Sequence, residues 1–263
     1  MQPHRFLGWR RILGLVASLW LGAVGCAASP SPSVLVVGGS MMNGDHFAEA
    51  TLPVMREHFK GCRTVVLVLH ASHPADRDRT EARLQRAFAH LSGISAESLH
   101  RLDDAESLRR LRAADGIFVG GGETFVLLRE LYRTGQLEVI RERVHAGVPY
   151  AGSSAGANVA GQRIGTTNDF PVTDIPTRDA LALFPAVINP HHPLPAAAEY
   201  ATRVGKIQGY LRFNPSETVF ALGDASIARL HEGRVTFAVG FGRVYRASGI
   251  TELTVGQRVE GLR

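Results

Sequence analysis

Residues 116–132 read GIFVGGGETFVLLRELY. The run from Gly116 to Val119 is short and apolar, as a buried strand requires, and three glycines then allow a tight turn. From Glu123 onward the spacing changes: Leu127, Leu128 and Leu131 fall three and four residues apart, on one side of a 3.6-residue helix. Strand, glycine turn and helix form the repeating unit of an α/β sheet. The same alternation extends in both directions. Segments 33–39 (SVLVVGG) and 64–69 (TVVLVL) are β-branched and almost wholly apolar, the composition of strands covered on both faces, and 148–151 is a shorter version. Helical patterns are predicted at 46–59, 76–91, 105–113, 123–132 and 137–146. Strands alternating with helices imply right-handed crossovers and a mostly parallel sheet with helices on both faces. Beyond about residue 216 the pattern turns to short strands at 218–222, 227–231, 234–239 and 243–247, joined by Gly-containing turns. These are predicted as β-hairpins appended to the sheet. There is no internal repeat, so residues 34–263 read as one domain.

Composition narrows the function classes. Of the 263 residues, 45% are hydrophobic and 20% charged, which excludes disorder, collagen-like repeats and coiled coil. The formal charge is +5, but Arg5, Arg10 and Arg11 lie in the first 25 residues, which contain no acid. The remainder holds 26 Lys+Arg against 24 Asp+Glu, too balanced for the basic face of a nucleic-acid binder. The basic start is followed by an apolar run of 13 residues, ILGLVASLWLGAV at 12–24, too short to span a bilayer comfortably. Residues 1–25 therefore read as an export leader. The segment Ala23-Val24-Gly25-Cys26 is similar to a lipoprotein box, with Ala where Leu is usual, and predicts a lipid anchor on Cys26. Ordinary signal cleavage and an uncleaved anchor stand as alternatives. Residues 26–33 then form a tether, and the protein is expected to be exported, as a cell-envelope lipoprotein or to the periplasm, and to stay cytoplasmic only if the leader is not functional. Cys62 is the only other cysteine, so a disulfide framework is excluded.

The stretch 149–158 (PYAGSSAGAN) carries the chemistry. Gly152-x-Ser154-x-Gly156 stands between a predicted strand and a predicted helix, the setting of a nucleophile elbow. Ser153 is a neighbouring candidate, but only Ser154 has glycine two places away on both sides. The bland alternative is a glycine-rich turn with a capping serine. Gly120-Gly121-Gly122 lacks the spacing of a dinucleotide fingerprint or a P-loop and suits a second set of backbone donors. Both turns lie at carboxyl ends of strands, where open parallel sheets place ligands. A serine nucleophile needs a base and an orienting acid. Downstream, 166–171 (TTNDFP) and 184–193 (FPAVINPHHP) offer Asp169 and His191, among 11 histidines. His70-x-x-His73 has no third ligand nearby and is predicted to be a polar loop at the cleft entrance.

Taken together, GGGETFVLL, GSSAGANVAG, TTNDFPV and DALALFPAVINPH resemble the peptidase E (α-aspartyl dipeptidase) family of serine peptidases, relatives of cyanophycinase. The resemblance covers most of 33–211. It implies a sheet like that of class I glutamine amidotransferases, flavodoxin-like in outline. It also implies Ser154 as nucleophile, His191 as general base and Asp169 as its acid, with the N–H groups of Gly122 and Ala155 as oxyanion hole. The substrate implied is a small peptide, favoured when its first residue is aspartate, and neither metal nor organic cofactor is expected. Arg203 and Lys206 fall in the basic stretch after the histidine, and Arg203 is the candidate for the substrate carboxylate, against the reading of a solvated helix charge. Two positions depart from the family pattern: Glu123 replaces Asn after the glycines, and His192 replaces the aromatic after His191. Glu123 either pairs with the substrate amine or repels an acidic side chain. The rival readings are an esterase of the α/β-hydrolase type, an exopeptidase acting on aspartate-rich polymer, and a catalytically silent peptide-binding lipoprotein.

Overall fold

The computed structural model describes Met1 and residues 31–262. The expected leader, Cys26 and most of the tether lie outside the described residues. Among the described residues no helix is long and apolar enough to cross a membrane.

Five parallel strands form the centre: β1 (Val34–Val37), β4 (Thr64–Val68), β5 (Ser95–Ser98), β6 (Gly116–Val119) and β7 (Tyr150–Ser153). Their spatial order is β1-β7-β6-β4-β5, each neighbouring pair parallel. The apolar runs follow from burial on two faces. Val34 and Val36 of β1, with Val66 and Val68 of β4, enter one core, while Leu35, Val37, Val65 and Leu67 enter the other. The first core is closed by α3 (Asp104–Ala113), α4 (Thr124–Arg133), α5 (Gln136–His145) and α6 (Ala155–Ala160). The second is closed by α1 (Leu52–His58) and α2 (Arg77–Ser92). Each fully buried Val or Leu contributes about 1.5–3 kcal/mol, so the two interleaved cores fix which face each strand presents.

The first predicted helix starts later than its pattern suggests. Residues 46–51 instead hold a small hairpin strand, β3 (His46–Phe47), paired with β2 (Met42–Asn43), and α1 begins at Leu52. Pro53 sits in the first turn of α1, where its missing N–H costs nothing. The strands after residue 216 also differ from simple appended hairpins, because they divide between two sheets. β10 (Ile227–His231), β11 (Arg234–Val239) and β14 (Arg258–Val259) continue the main sheet antiparallel beyond β1. β9 (Val219–Leu222), β12 (Gly242–Arg246) and β13 (Gly249–Glu252) join β8 (Val187–Asn189) in a second, four-stranded sheet. β8 and β9 are parallel, and α7 (Tyr200–Phe213) bridges them. Ile207 and Leu211 of α7 pack on Val187, Val219 and Tyr245. This second sheet brings its loops against the carboxyl end of β1.

Candidate active site

Ser154 follows β7 with φ +54° and ψ −111°, a conformation that L-residues avoid. The flanking glycines make it possible. A Cβ on Gly152 would stand 2.3 Å from the Gly156 carbonyl oxygen, and one on Gly156 would stand 2.1 Å from that of Val119. The turn therefore lifts the half-buried Ser154 hydroxyl above the sheet, as a nucleophile elbow does.

His191 Nε2 lies 2.8 Å from Ser154 Oγ. The imidazole arrives on the loop after β8, where His191 has φ +51° and its N–H donates to the Gly38 carbonyl at 2.8 Å. The ring rests against Gly39, where any Cβ would stand 2.1 Å from its Cε1 atom. The glycine pair that ends β1 is thus a requirement of the histidine's seat.

The carboxylate on the far side of the ring is Asp224, whose Oδ1 lies 2.6 Å from His191 Nδ1. With Asp224 ionised, Nδ1–H donates to it, which leaves the Nε2 lone pair for the serine proton. Asp224 sits in the turn between β9 and β10, pinned by an Ala225 N–H to Gly39 carbonyl bond of 2.7 Å. Both side chains are open to solvent, His191 42% and Asp224 56% exposed.

Asp169, the acid that the family resemblance implies, makes no hydrogen bond or ion pair with His191, whose ring nitrogens meet Asp224 and Ser154. Its Oδ2 accepts the Thr124 N–H at the start of α4 at 2.8 Å and the Thr167 hydroxyl at 3.3 Å. The motifs nevertheless converge. Asn158 of the elbow helix donates to Thr124 and Thr167, Asn168 donates to the Pro190 carbonyl, and Asn189 donates to the Thr166 carbonyl and the Asn168 side chain. The chain position of Asp169 resembled that of a triad acid, whereas its place in space is the wall of a neighbouring cavity of about 260 Å³, shared with Asn168, Phe170, Arg203, Lys206 and Tyr210.

Arg203 lies on that wall, and its Nη1 donates to the carbonyls of His191 and Pro190 and to the Asn189 side chain at 3.2–3.4 Å. It is half-buried, and desolvation lowers its pKa from the ordinary value. Glu123 is exposed at the cap of α4, and its pKa is raised by desolvation and then by the nearby charge of Asp169. One acid, Asp169, and two cations, Arg203 and Lys206, therefore line one small cavity beside the histidine loop, with Glu123 close enough to Asp169 to feel its charge.

Gly121 touches the serine: a Cβ there would lie 3.0 Å from Ser154 Cβ and 3.4 Å from its Oγ. Gly122 has φ +131°, and a Cβ on it would stand 2.1 Å from the Ala71 carbonyl oxygen, so the chain can pass only as glycine. The Gly122 N–H has no protein acceptor among the described residues. Ala155 is the first residue of α6, where N–H groups have no intrahelical partner. His192 points away from the cleft. It is buried, its Nδ1–H donates to the Pro193 carbonyl and its Nε2 accepts from Tyr245, while burial pushes its pKa down to about 4. His70 and His73 do not share a site: His70 is buried against Gln136, and His73 is exposed and caps a short turn.

The sequence profile of peptidase family S51 matches residues 34–238. The chain belongs to peptidase family S51. Peptidase E of Pasteurella multocida is 37% identical over 199 residues, covering 74% of this chain and 83% of its own length. A probable alpha-aspartyl dipeptidase of Drosophila melanogaster is 35% identical over 226 residues, 84% of this chain and 92% of its own. The fold is shared with a crystal structure of a peptidase from an acI-B1 Actinobacterium, at TM-score 0.68 and 15% identity, over 88% of this chain and 97% of that one. Membership of S51 identifies the chain as a peptide-bond hydrolase, and the esterase reading falls away.

Proposed function

We propose that this S51 peptidase is a serine dipeptidase that cleaves after an amino-terminal aspartate, with Ser154, His191 and Asp224 as its relay. The observation that carries the reading is the hydrogen-bonded line from Asp224 through His191 to a strained serine, at 2.6 and 2.8 Å. His191 takes the Ser154 proton as the hydroxyl attacks the scissile carbonyl, and Asp224 stabilises the imidazolium that forms. The N–H groups of Gly122 and Ala155 meet the developing oxyanion, an effect worth about 3–4 kcal/mol per donor. His191 returns the proton to the leaving amine, then activates the water that hydrolyses the acyl-enzyme. None of these steps requires a cofactor.

The substrate side chain is assigned to the 260 Å³ cavity, where Arg203 and Lys206 supply the cations a carboxylate needs. Asp169 and Glu123 supply the opposite charge, suited to the free α-ammonium. Under this assignment Glu123 strengthens amine recognition at a position where the family resemblance leads one to expect Asn. The exported, Cys26-acylated form is part of the same proposal, and the intact mass of membrane-extracted protein tests it. The function itself is tested with purified protein and dipeptides varied at the first residue. Asp-Leu is expected to exceed Ala-Leu and Asn-Leu by at least ~100-fold in kcat/KM, because a substrate without the carboxylate leaves a partly buried guanidinium unpaired. A flat profile overturns the assignment of the cavity, and retained turnover in Ser154→Ala overturns the mechanism.

A further inference from the structure

The amino-terminal edge of the main sheet, opposite the active site, holds a second cavity, of about 640 Å³. It opens onto a groove of about 450 Å³ along β10 and β11, and the two share Glu57, Arg229 and His231. Arg229 stands in the middle of β10, half-buried, on the same sheet face as Leu35 of β1. Among the described residues its guanidinium has no ion pair or hydrogen bond, and its Nε is fully buried without a partner. Arg143 shares the wall: its Nη2 donates to the Ala114 carbonyl, and its buried Nε also has no partner. His58, 6% exposed, lines the same cavity. Its Nε2–H donates to the Tyr150 carbonyl, and its Nδ1 has no partner.

The acids nearby do not offset these charges. Asp115 is taken up by Arg63 and by the N–H groups of Arg63 and Thr64, and Glu57 lies 3.9 Å from Lys60. A half-buried guanidinium without a counter-charge is costly, and a bound anion would offset that cost. Two arginines line the cavity, with Lys60 at the rim beside Glu57, and a guanidinium fork pairs bidentately with a phosphate. We infer that this cavity binds a phosphate group. Ser33, which leads into β1, lies on its wall. The phosphate belongs either to a soluble ester or to a phospholipid headgroup.

The full-length protein, solubilised in a non-ionic detergent, is titrated with inorganic phosphate and then with glycerol 3-phosphate, with chloride at equal ionic strength as the control. Thermal unfolding is the readout. Phosphate at ~100 times its dissociation constant is expected to raise Tm by roughly 5–10 °C over chloride. Arg229→Gln and Arg143→Gln should each remove most of that shift while leaving peptidase activity unchanged. Without phosphate, Arg229→Gln should melt at or above the wild-type temperature, because an uncompensated charge has gone. Flotation with vesicles of phosphatidylglycerol, against phosphatidylcholine, separates the sources: vesicle binding abolished by Arg229→Gln assigns the headgroup, and a Tm shift without vesicle binding assigns a soluble ester. Should a variant fail to fold, the ³¹P linewidth of phosphate with wild-type protein decides. No broadening, or equal Tm shifts in phosphate and chloride, overturns the site.

Discussion

Replacing Asp224 by Asn tests the relay at the point where chain order and geometry disagree. In the transition state His191 carries a full charge beside the Asp224 carboxylate. For charges about 4 Å apart, the attraction is roughly 4 kcal/mol at an effective dielectric constant of 20 and roughly 2 at 40. The higher dielectric constant is the relevant bound, because both side chains are about half exposed. At 1.36 kcal/mol per tenfold change, the loss in kcat is about 30-fold to 10³-fold. A fully buried triad acid is worth ~10⁴, and the shortfall follows from solvent screening at this open site. Turnover alone does not separate activation from substrate binding, so the rate of Ser154 labelling by a fluorophosphonate is the second readout. It needs the nucleophile and base but neither the substrate amine nor its side chain. Asp224→Asn should slow labelling by a factor similar to its effect on kcat. Asp169→Asn should leave labelling within ~3-fold of wild type while raising KM, the pattern of a residue that binds substrate and takes no part in the proton relay. If Asp169→Asn abolishes labelling and Asp224→Asn leaves it intact, the assignment is wrong.

Four further outcomes rest on named interactions. Gly39→Ala should fold but lose at least ~100-fold in kcat, because a Cβ 2.1 Å from His191 Cε1 displaces the ring by about the ångström to which catalysis is sensitive; circular dichroism and dipeptide kinetics check both halves. Glu123→Gln should raise KM for dipeptides with a free amine by ~2–5-fold, as removal of one exposed ionic interaction implies, and leave fluorophosphonate labelling unchanged. Arg203→Lys should lower kcat/KM for Asp-Leu more than for Ala-Leu, because an ammonium cannot keep the hydrogen bonds that Nη1 makes to the loop and also engage a carboxylate. His58 is buried neutral, with its pKa pushed down to about 3 from 6.5. Its contribution to stability is complete above pH 6.5 and falls away as pH drops towards 3. Near pH ~4.5 it costs the folded state up to about 3 kcal/mol. Urea unfolding of His58→Gln, whose amide can still donate to the Tyr150 carbonyl, should be correspondingly less pH-dependent.

What the sequence made legible follows from how local each determinant is. The strands β1, β4 and β6 could be read because burial on two faces demands unbroken apolar runs. The edge strand β5, SAES, exposes alternate residues and shows no such run. Ser154 was legible because its constraints, the carbonyls of Gly156 and Val119, act through glycines two residues away. His191 came through a motif knitted by side chains to its neighbours. Asp224 had neither advantage. It stands 33 residues beyond His191, across α7 and β9, in a turn reading Gly-Asp-Ala that any loop could contain. Its one sequence signal was indirect: Gly38 and Gly39 end β1, and their carbonyls hold the His191 and Ala225 amides. A strand that ends in two glycines can accept close approach by other backbones, and here it accepts those of His191 and of Ala225, next to Asp224. The second sheet therefore has a physical role in the site. By setting β8 and β9 side by side and parallel, it delivers the histidine loop and the aspartate turn to the same edge of β1. Asp169, closer in sequence, is held instead by the Thr124 amide at the start of α4, away from the imidazole.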